Sequence, residues 1–336
     1  MYDWTERKRT AILKILRDSG APISSEKIAE KLNDIGYNVR ERTVRLHLAQ
    51  MDKDGLTRHH PKQGRQITEK GIREISRTRV YERLGFLTAK INQMTFAMSF
   101  DLSTLSGTVV VNLSLIHKEE MPKAIPLITK VFEKGLSMGE MITLFGPGEQ
   151  VGETAIPDGY IGIGTVCSIT INGILLKAGI PTVSRFGGLL EIADFQPKRF
   201  VALINYDGTT LDPLEIFIKS GMTDYLGATS NGNGLIGASV REIPMASAEK
   251  IGKISKYTDS IGLHGIITIG KPEQAVCEVP VSAGCLGLVI IGGLNPIAIL
   301  EESGISLDSH ALSGLVEYGK LFPYTELRER AAFLLK

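Results

Sequence analysis

A segment near the middle of the chain carries side chains that could bind a small organic acid. Residues 183–188 read Val-Ser-Arg-Phe-Gly-Gly, which places Arg185 two residues before a pair of glycines. A guanidinium can form two parallel hydrogen bonds with a carboxylate, glycines allow close approach to the backbone, and nearby hydroxyls can donate further bonds. A structural Arg185 paired with Glu191 is the alternative. The predicted effector-binding residues are Thr165, Ser168, Arg185, Gly187 and Gly188.

Three other motifs suggest catalysis or nucleotide binding, and each lacks the context that this chemistry needs. Residues 232–237 match the G-x-G-x-x-G dinucleotide fingerprint, but a strand-like segment follows where a helix would have to meet the pyrophosphate. Residues 146–148 lack the Gly-Lys-Ser/Thr ending of a phosphate-binding loop. Cys167 has no nucleophile elbow around it, so a small buried thiol is expected. The sequence therefore predicts no enzymatic activity, no cofactor and no metal site.

Basic residues are concentrated in the first 80 residues. This part carries 18 Lys and Arg against 11 Asp and Glu, whereas the remainder carries 20 against 26. The net charge is therefore +7 on residues 1–80 and −6 on the rest of the chain. This asymmetry indicates a polyanionic partner for the N-terminal part. Arg can bind guanine through two hydrogen bonds, Thr can contact a methyl group, and Lys binds phosphate as a point charge. The predicted DNA-binding residues are Arg40, Arg42, Thr43, Arg45, Arg58, Lys62 and Arg65.

The elements that would position these basic residues form a winged helix-turn-helix. Apolar residues at helical spacing predict helices over residues 5–19, 24–36 and 39–54. Residues 55–68 resemble a β-hairpin wing with a turn at its centre. The third helix would then enter the major groove of double-stranded DNA. A charged, solvated helix face is the alternative, but the wing and the local charge favour DNA.

The rest of the chain contains one structural unit twice. Aligning the segment that begins at Pro157 with the segment that begins at Pro280 places Gly164 on Gly287. Further along, where the loops have changed length, the second glycine of the Gly-Gly pair falls on Gly314. Each copy is expected to contain a strand, a helix, a short strand, an apolar strand and a second helix, and to end in a turn. A long repeat present twice indicates a doubled domain rather than a solenoid.

These patterns predict an α+β protein with an N-terminal winged helix-turn-helix, followed by an internally duplicated mixed α/β effector domain. Residues 1–80 would bind DNA, and residues 81–336 would bind the effector and dimerise, with Gly85 as the boundary point. The copies are placed at about residues 100–225 and 226–330, the first including an insert. Three unpaired cysteines, the lack of a signal peptide and an apolar stretch broken by glycine and proline favour a cytoplasmic protein without a membrane span.

Three segments give the chain a resemblance to the NrpR family of archaeal nitrogen-regulatory transcription repressors. They are Gly-Ile-Gly-Thr-Val-Cys-Ser from Gly162, Ser-Arg-Phe-Gly-Gly-Leu-Leu-Glu from Ser184, and Arg-Glu-Ile-Pro from Arg241. The resemblance covers nearly the whole chain, and the segment from Ser184 is its most specific part. Some members of the family carry two effector domains, whereas this chain has one that is itself doubled.

The resemblance implies a homodimeric repressor that binds palindromic operators upstream of nitrogen-fixation and glutamine-synthesis genes. It also implies 2-oxoglutarate, a small dicarboxylate, as the effector that releases the repressor, and it leaves open a second chain that supplies another effector domain. Without the resemblance, the residues indicate a ligand-responsive regulator. Two alternatives remain from the residues alone: an enzyme fused to a DNA-binding domain, and a regulator whose doubled domain only dimerises.

Overall fold

The computed structural model describes residues 4–82 and 86–335. The chain forms two compact units, Met1–Leu84 and Gly85–Lys336. The expected boundary point, Gly85, lies outside the described residues. Among the helices that the structure describes, none is both long and apolar enough to cross a membrane.

The N-terminal unit is a helical bundle with a two-stranded wing, which confirms the predicted winged helix-turn-helix. Leu16, Leu32 and Leu48, one from each of the first three helices, are fully buried in its core. The two wing strands pair antiparallel, with Thr57 opposite Ile67. Its elements are α1 (Trp4–Ser19), α2 (Ser25–Asp34), α3 (Glu41–Lys53), β1 (Thr57–His60), β2 (Gly64–Ile67) and α4 (Glu69–Glu82).

Local contacts fix the wing against the turn between α1 and α2. Ile23 forms an isolated antiparallel bridge with Arg65, and the two backbones exchange hydrogen bonds of 3.0 and 2.9 Å. Gly64 precedes this bridge with φ +112°, and a Cβ at its position would lie 2.0 Å from the carbonyl oxygen of Ile23. Only glycine fits such a close approach in the left-handed region. Ser24 caps α2 by accepting a hydrogen bond from the Lys27 amide.

The C-terminal unit begins with one helix and then contains the first copy of the repeat. The elements up to the end of this copy are α5 (Phe86–Ala97), β3 (Thr108–His117), α6 (Met121–Glu133), β4 (Met141–Phe145), β5 (Gln150–Val151), β6 (Thr154–Ala155), β7 (Tyr160–Val166), α7 (Ile169–Lys177) and β8 (Val183–Ala193). The last element was expected to be a turn, and that expectation is wrong. A long strand stands there because it has pairing partners on both sides.

An insert follows, and then the second copy repeats this order of elements without the β5–β6 hairpin. The insert consists of β9 (Gln196–Asn205), α8 (Pro213–Lys219) and α9 (Tyr225–Ser230). The second copy consists of β10 (Gly234–Pro244), α10 (Ala248–Ser260), β11 (Ile266–Ile269), β12 (Cys285–Ile291), α11 (Asn295–Glu302) and β13 (Leu307–Glu317). The chain ends with β14 (Phe322–Pro323) and α12 (Leu327–Leu334). The doubled α/β domain predicted from the sequence is therefore present.

The two copies exchange their last strands. One five-stranded sheet has the order β13-β3-β7-β4-β14, and the other has the order β11-β12-β10-β8-β9. Strand β8 ends the first copy but pairs with β10 of the second. Strand β13 ends the second copy but pairs with β3 of the first. Each sheet therefore contains one strand from the other copy, and a single hydrophobic core spans both.

Strand pairing corrects the alignment of the two copies by two residues. Val111 on β3 pairs with Val166 and Gly314, whereas Ala238 on β10 pairs with Ile291 and Gly188. Gly188 and Gly314 are thus equivalent, as predicted. In the strands before them, however, the same register makes residue 162, not residue 164, the counterpart of residue 287. A shift of two residues keeps every side chain on the same face of a strand, so the apolar pattern cannot detect it.

Candidate functional site

Helix α3 presents basic side chains on the surface of the N-terminal unit. Arg40, Arg42 and Arg45 are exposed, whereas Val44 and Leu48 on the opposite face are buried. Arg40 is the N-cap residue, so the basic face begins where the helix begins. A helix that docks through its N-terminal half would bring these guanidinium groups to base edges and phosphates.

One of these arginines is held in position by the helix itself. Arg45 Nη2 lies 2.5 Å from Glu41 Oε1, one turn earlier, and Ser25 also donates to that oxygen. The Ser25 and Arg45 hydrogen bonds together lower the pKa of Glu41 below its usual value. Thr43, between the exposed arginines, is half-buried. Arg42 is exposed without this arrangement, which makes it the less constrained candidate for base contact.

The wing presents two of its three predicted DNA contacts to solvent. Arg58 and Lys62 are exposed, and Lys62 lies in the turn with φ +67°. Arg65 is different: its Nε donates to Asp52 Oδ2 on α3 at 2.8 Å, and its side chain is only 17% exposed. The guanidinium of Arg65 therefore braces the wing against α3.

Arg185, the predicted effector ligand, lies at an irregularity in β8. The register with β10 shifts there, because Phe186 pairs with Val240 while Ser184 pairs with Arg241. Arg185 Nε lies 3.5 Å from Glu242 Oε2, and the side chain is 37% exposed. The alternative partner is wrong, because Glu191 instead accepts a 2.9 Å hydrogen bond from Arg199. Arg185 lines neither of the cavities described below.

Gly187 and Gly188 are needed for strand packing in the sheet. Gly187 and Gly188 lie inside β8 and pair with β10 on one side and β9 on the other. Their backbone amides therefore point towards the neighbouring strands, in the plane of the sheet. This geometry does not support the expectation that these amides bind a ligand. A Cβ at Gly187 would lie 2.7 Å from Pro213, and one at Gly188 would lie 2.4 Å from the Ala202 carbonyl oxygen. Thr165 is buried in β7, where Asn112 donates to its hydroxyl at 3.4 Å.

Arg241 is a buried arginine whose guanidinium is only partly hydrogen-bonded. It lies on β10 with 0% of its surface exposed. Its Nε donates to Asn172 Oδ1 at 3.1 Å, and its Nη2 donates to Ser168 Oγ at 3.4 Å, whereas its Nη1 has no hydrogen-bond partner. The guanidinium carbon lies 5.4 Å from the ring centre of Tyr206. The hydrogen-bond partners of this buried guanidinium are neutral, although its charge is also attracted to the nearby Asp212 carboxylate. Burying a charge is costly, and a ligand carboxylate would add a bond at Nη1.

A small pocket lies next to two neighbours of this guanidinium, although Arg241 itself is not among the residues that line it. Ser168 and Tyr206, both neighbours of Arg241, form part of its wall, and the N-terminal residues of two helices, α7 and α11, meet there. Its volume of about 10 Å³ is the space of one water molecule. Amide groups at two helix N-termini add partial positive charge, which favours an anion. The lining residues are Ile91, Asn112, Cys167, Ser168, Ile169, Tyr206, Asp212, Leu214, Gly293, Leu294, Ala311 and Leu312.

Burial is the main cause of the pKa shifts of the ionisable groups that line the pocket. Burial, followed by the charge of Glu215, raises the pKa of Asp212 to about 6. The Asp212 carboxylate also caps α8 by accepting bonds from the Leu214 and Glu215 amides. Burial raises the pKa of the Cys167 thiol to about 11, so this group is not an activated nucleophile. The pocket is thus suited to binding rather than to covalent catalysis.

A larger cleft adjoins the pocket and shares Asp212, Ala311 and Leu312 with it. The cleft has a volume of about 750 Å³, and α5 contributes Lys90 and Gln93 to its wall. The boundary between the two cavities is a bulge in β13, where the register with β3 is lost between residues 310 and 314. Leu312 in this bulge has φ +53°, a strained backbone conformation for a branched residue.

Sequence reasoning identified Ser168, which lies in the pocket wall, and selected Arg185 rather than Arg241 as the carboxylate ligand. Arg185 was selected because the other copy has no arginine at its position. Arg241 satisfies the same criterion, since its structural equivalent on β3 is Ser114. A second signal was the charged pair Arg241-Glu242 in the mostly apolar strand from 235 to 243, where a buried charge needs a specific reason.

No group of three or more His, Cys, Asp and Glu side chains within residues 4–82 and 86–335 is placed to hold a metal ion. The three cysteines, Cys167, Cys277 and Cys285, are free thiols. The main chemical features of the described residues are therefore the exposed basic face of α3 and the buried guanidinium of Arg241.

A winged helix with an exposed basic recognition helix, joined to a separate α/β unit, defines a winged-helix DNA-binding regulator. A family model of the NrpR regulatory domains NRD1 and 2 matches residues 84–322, and a model of the ribonuclease R winged-helix domain matches residues 10–75. The chain belongs to the NrpR family of nitrogen regulators.

Relatives of known identity are similar over most of the chain. The global nitrogen regulator NrpRI of Methanosarcina mazei is 38% identical over 93% of this chain and 96% of its own length. The global nitrogen regulator NrpR of Methanococcus maripaludis is 31% identical over 92% of this chain, which spans only 54% of that longer relative. The crystal structure of a nitrogen repressor-like protein from Methanococcus jannaschii is 27% identical, with a TM-score of 0.60, and covers 70% of this chain and 97% of its own.

Proposed function

We propose that the protein is a homodimeric repressor of nitrogen-assimilation genes that 2-oxoglutarate releases from its operator DNA. Family membership and the exposed basic face of α3 support the DNA-binding part of this proposal. The observation that carries the effector part is the fully buried guanidinium of Arg241, which has one nitrogen without a hydrogen-bond partner. An anionic effector supplies the missing partner.

The cavities determine how a dicarboxylate would bind. In this proposal one carboxylate enters the small pocket, faces the N-terminal ends of α7 and α11, and reaches past Ser168 and Tyr206 to Arg241. The rest of the molecule lies in the adjoining cleft, where Lys90 provides a cation for the second carboxylate. The pocket as it stands has room for about one water molecule, so binding requires the bulge at Ala311 and Leu312 to move.

Movement of this bulge would carry the effector signal towards the DNA-binding unit through α5. Helix α5 contributes Ile91 to the pocket and Lys90 to the cleft, so a ligand that opens the cavities contacts α5 directly. Only residues 83–85 separate the start of α5 from the end of α4 in the chain. The effector can shift the repressor between two states only by its difference in affinity for them. Operator DNA must therefore lower the affinity for 2-oxoglutarate by the same factor.

The test uses an operator that the protein selects from a random DNA library. Fluorescence anisotropy of this DNA should show complex formation without effector and release when 2-oxoglutarate is added. Calorimetry should show weaker binding of 2-oxoglutarate to the DNA complex than to the free protein. A complex that persists at saturating 2-oxoglutarate contradicts the effector assignment. Failure to enrich any DNA sequence contradicts the repressor function itself.

A further inference from the structure

The outward face of helix α3 carries an exposed leucine. Leu46 is 67% exposed, more than any other large apolar side chain that the structure describes in the N-terminal unit. It belongs neither to the core of this unit nor to the apolar residues that pack against that core. A single apolar side chain on a protein surface needs no explanation. Leu46 differs from such a residue because it lies on the helix that presents the basic face.

Helix geometry directs Leu46 away from the core. Val44 and Leu48 are buried and define the inner face of α3. A helix turns by about 100° per residue, so Leu46, two residues from each of them, points about 160° away from both. Arg45 lies on the side of the helix, where it pairs with Glu41. When α3 docks through its outward face, Leu46 is therefore among the side chains that come nearest to the bases.

The apolar centre of this outward face lies between two basic side chains. Arg42 precedes Leu46 by four residues, and Lys53 follows it by seven. Residues at these spacings lie on one face of a helix, and both cations are exposed. Ala49 is exposed as well and adds a methyl group between Leu46 and Lys53. The outward face thus has cations towards its two ends and apolar groups in its middle.

This pattern matches the chemistry of the major groove. Phosphates line the edges of the groove and attract cations. Among the groups that the base pairs present in the groove, the 5-methyl group of thymine is the apolar one. Leucine has no hydrogen-bonding atom in its side chain, so this methyl group is the base-edge partner that it can contact. The net charge of +7 on residues 1–80 favours a polyanion over a protein surface as the occupant of this face.

We propose that Leu46 contacts the 5-methyl group of a thymine in the operator half-site that α3 occupies, and thereby selects that base. The contact removes two apolar groups from water, and burial of one methyl-sized group tightens binding by about fourfold. A base without the methyl group leaves Leu46 against polar base edges and water. This assignment rests on the DNA binding of the proposed function and specifies one base that the helix selects.

Replacement of thymine by deoxyuridine tests the contact, because it removes only the methyl group. The operator selected from the random library is synthesised with one thymine of a half-site at a time replaced by deoxyuridine. Fluorescence anisotropy then gives the Kd of the full chain for each DNA. For the parent protein, replacement at one thymine should raise Kd by about fourfold. Leu46→Ala should bind the thymine operator more weakly than the parent does, and should bind the thymine and deoxyuridine operators equally.

Leu176→Ala is the matched control, because Leu176 is a 45% exposed leucine on α7 of the C-terminal unit. This variant should keep the affinity of the parent and its loss with deoxyuridine. Alanine is the best helix former, so Leu46→Ala should remain folded, which circular dichroism melting measures.

Three results overturn the role of Leu46. They are a parent protein that binds every deoxyuridine operator as tightly as the thymine operator, a Leu46→Ala variant that keeps the loss seen in the parent, and a selected half-site that contains no thymine on either strand. Failure to enrich any DNA sequence instead overturns the repressor function on which the assignment rests.

Discussion

Replacing Arg241 with methionine should abolish the response to 2-oxoglutarate while leaving the protein folded. Methionine fills an elongated space without bringing a charge. The change removes the bonds to Asn172 and Ser168, and each group left without a partner costs about 1–3 kcal/mol. It also removes a fully buried guanidinium, whose desolvation costs several kcal/mol. These effects oppose each other, so the unfolding free energy without ligand should change by about 2 kcal/mol or less.

The ligand-bound protein should be affected far more strongly. A ligand at 100 times its Kd stabilises the folded state by about 2.7 kcal/mol. Removing one partner of a buried, hydrogen-bonded charge pair costs about 2–5 kcal/mol, which raises Kd by about 30-fold to several thousand-fold. At the same ligand concentration, the stabilisation falls to about 0.9 kcal/mol or less. For a unit of this size, the ligand-induced rise in Tm should fall from about 5–11 °C to less than about 4 °C.

Scanning calorimetry with and without 2-oxoglutarate measures both effects. Arg185→Met is the matched control, because Arg185 is paired with Glu242 and is 37% exposed, whereas Arg241 is fully buried. This control should keep the full ligand-induced rise in Tm. An equal rise in the parent and in Arg241→Met refutes the reasoning, as does loss of the rise in Arg185→Met alone. The second outcome would return the effector site to the residue that the sequence first suggested.

Further predictions concern the recognition helix, the wing, the pocket and the assembly. Arg42→Ala and Arg45→Ala should each weaken operator binding by about 1–3 kcal/mol in anisotropy titrations if they contact bases, and unchanged binding in both would contradict the role of α3. Lys62→Ala should weaken all DNA sequences alike and lower the slope of log K against log salt by about 1; a sequence-dependent loss would contradict phosphate contact. Asp212 has a pKa raised from 3.8 to about 6, so the folded state binds its proton more tightly than the unfolded state and loses stability as pH rises through this window. Asp212→Asn should therefore gain stability relative to the parent between pH 4 and 6 and keep a constant advantage above it, which chemical denaturation at several pH values can measure. A chain without residues 1–80 should still sediment as a dimer, and a monomer would place the interface in the N-terminal unit.

The fold could be predicted where local patterns determine it. Helices α1 to α3 have one apolar face each, and that face is the one buried in a small core. The repeat was visible because equivalent turns need equivalent glycines, such as Gly179 and Gly304, which have φ of +74° and +76°. The exchange of β8 and β13 was not visible, because the apolar pattern of a strand does not record which sheet it joins. Glycines 187 and 188 also made β8 look like a turn.

The candidate site required long-range information. Arg241 interacts with Asn172 and Ser168, about 70 residues earlier in the chain. Tyr206 and Asp212 come from the insert, so comparison of the two copies could not reveal them. For Arg65, the sequence suggested a contact that the fold has already satisfied. Its type and position in the wing suggest DNA contact, and only the structure shows that Asp52 already binds its guanidinium. Residue type predicts which interactions are possible, whereas the fold determines which of them are already satisfied.

The crossed placement of β8 and β13 indicates how such a chain could have arisen. A single copy of the repeat, expressed alone, would have a vacant place beside its first strand, which the final strand of a second molecule can fill. Two such molecules would each complete the sheet of the other, which is a domain-swapped dimer. Joining the end of one molecule to the start of the next gives the present order, in which β8 pairs with β10 and β13 pairs with β3. The doubled unit is then a former pair of subunits in one polypeptide. The two halves now differ at one buried position of equivalent strands, where the second copy has Arg241 and the first has Ser114.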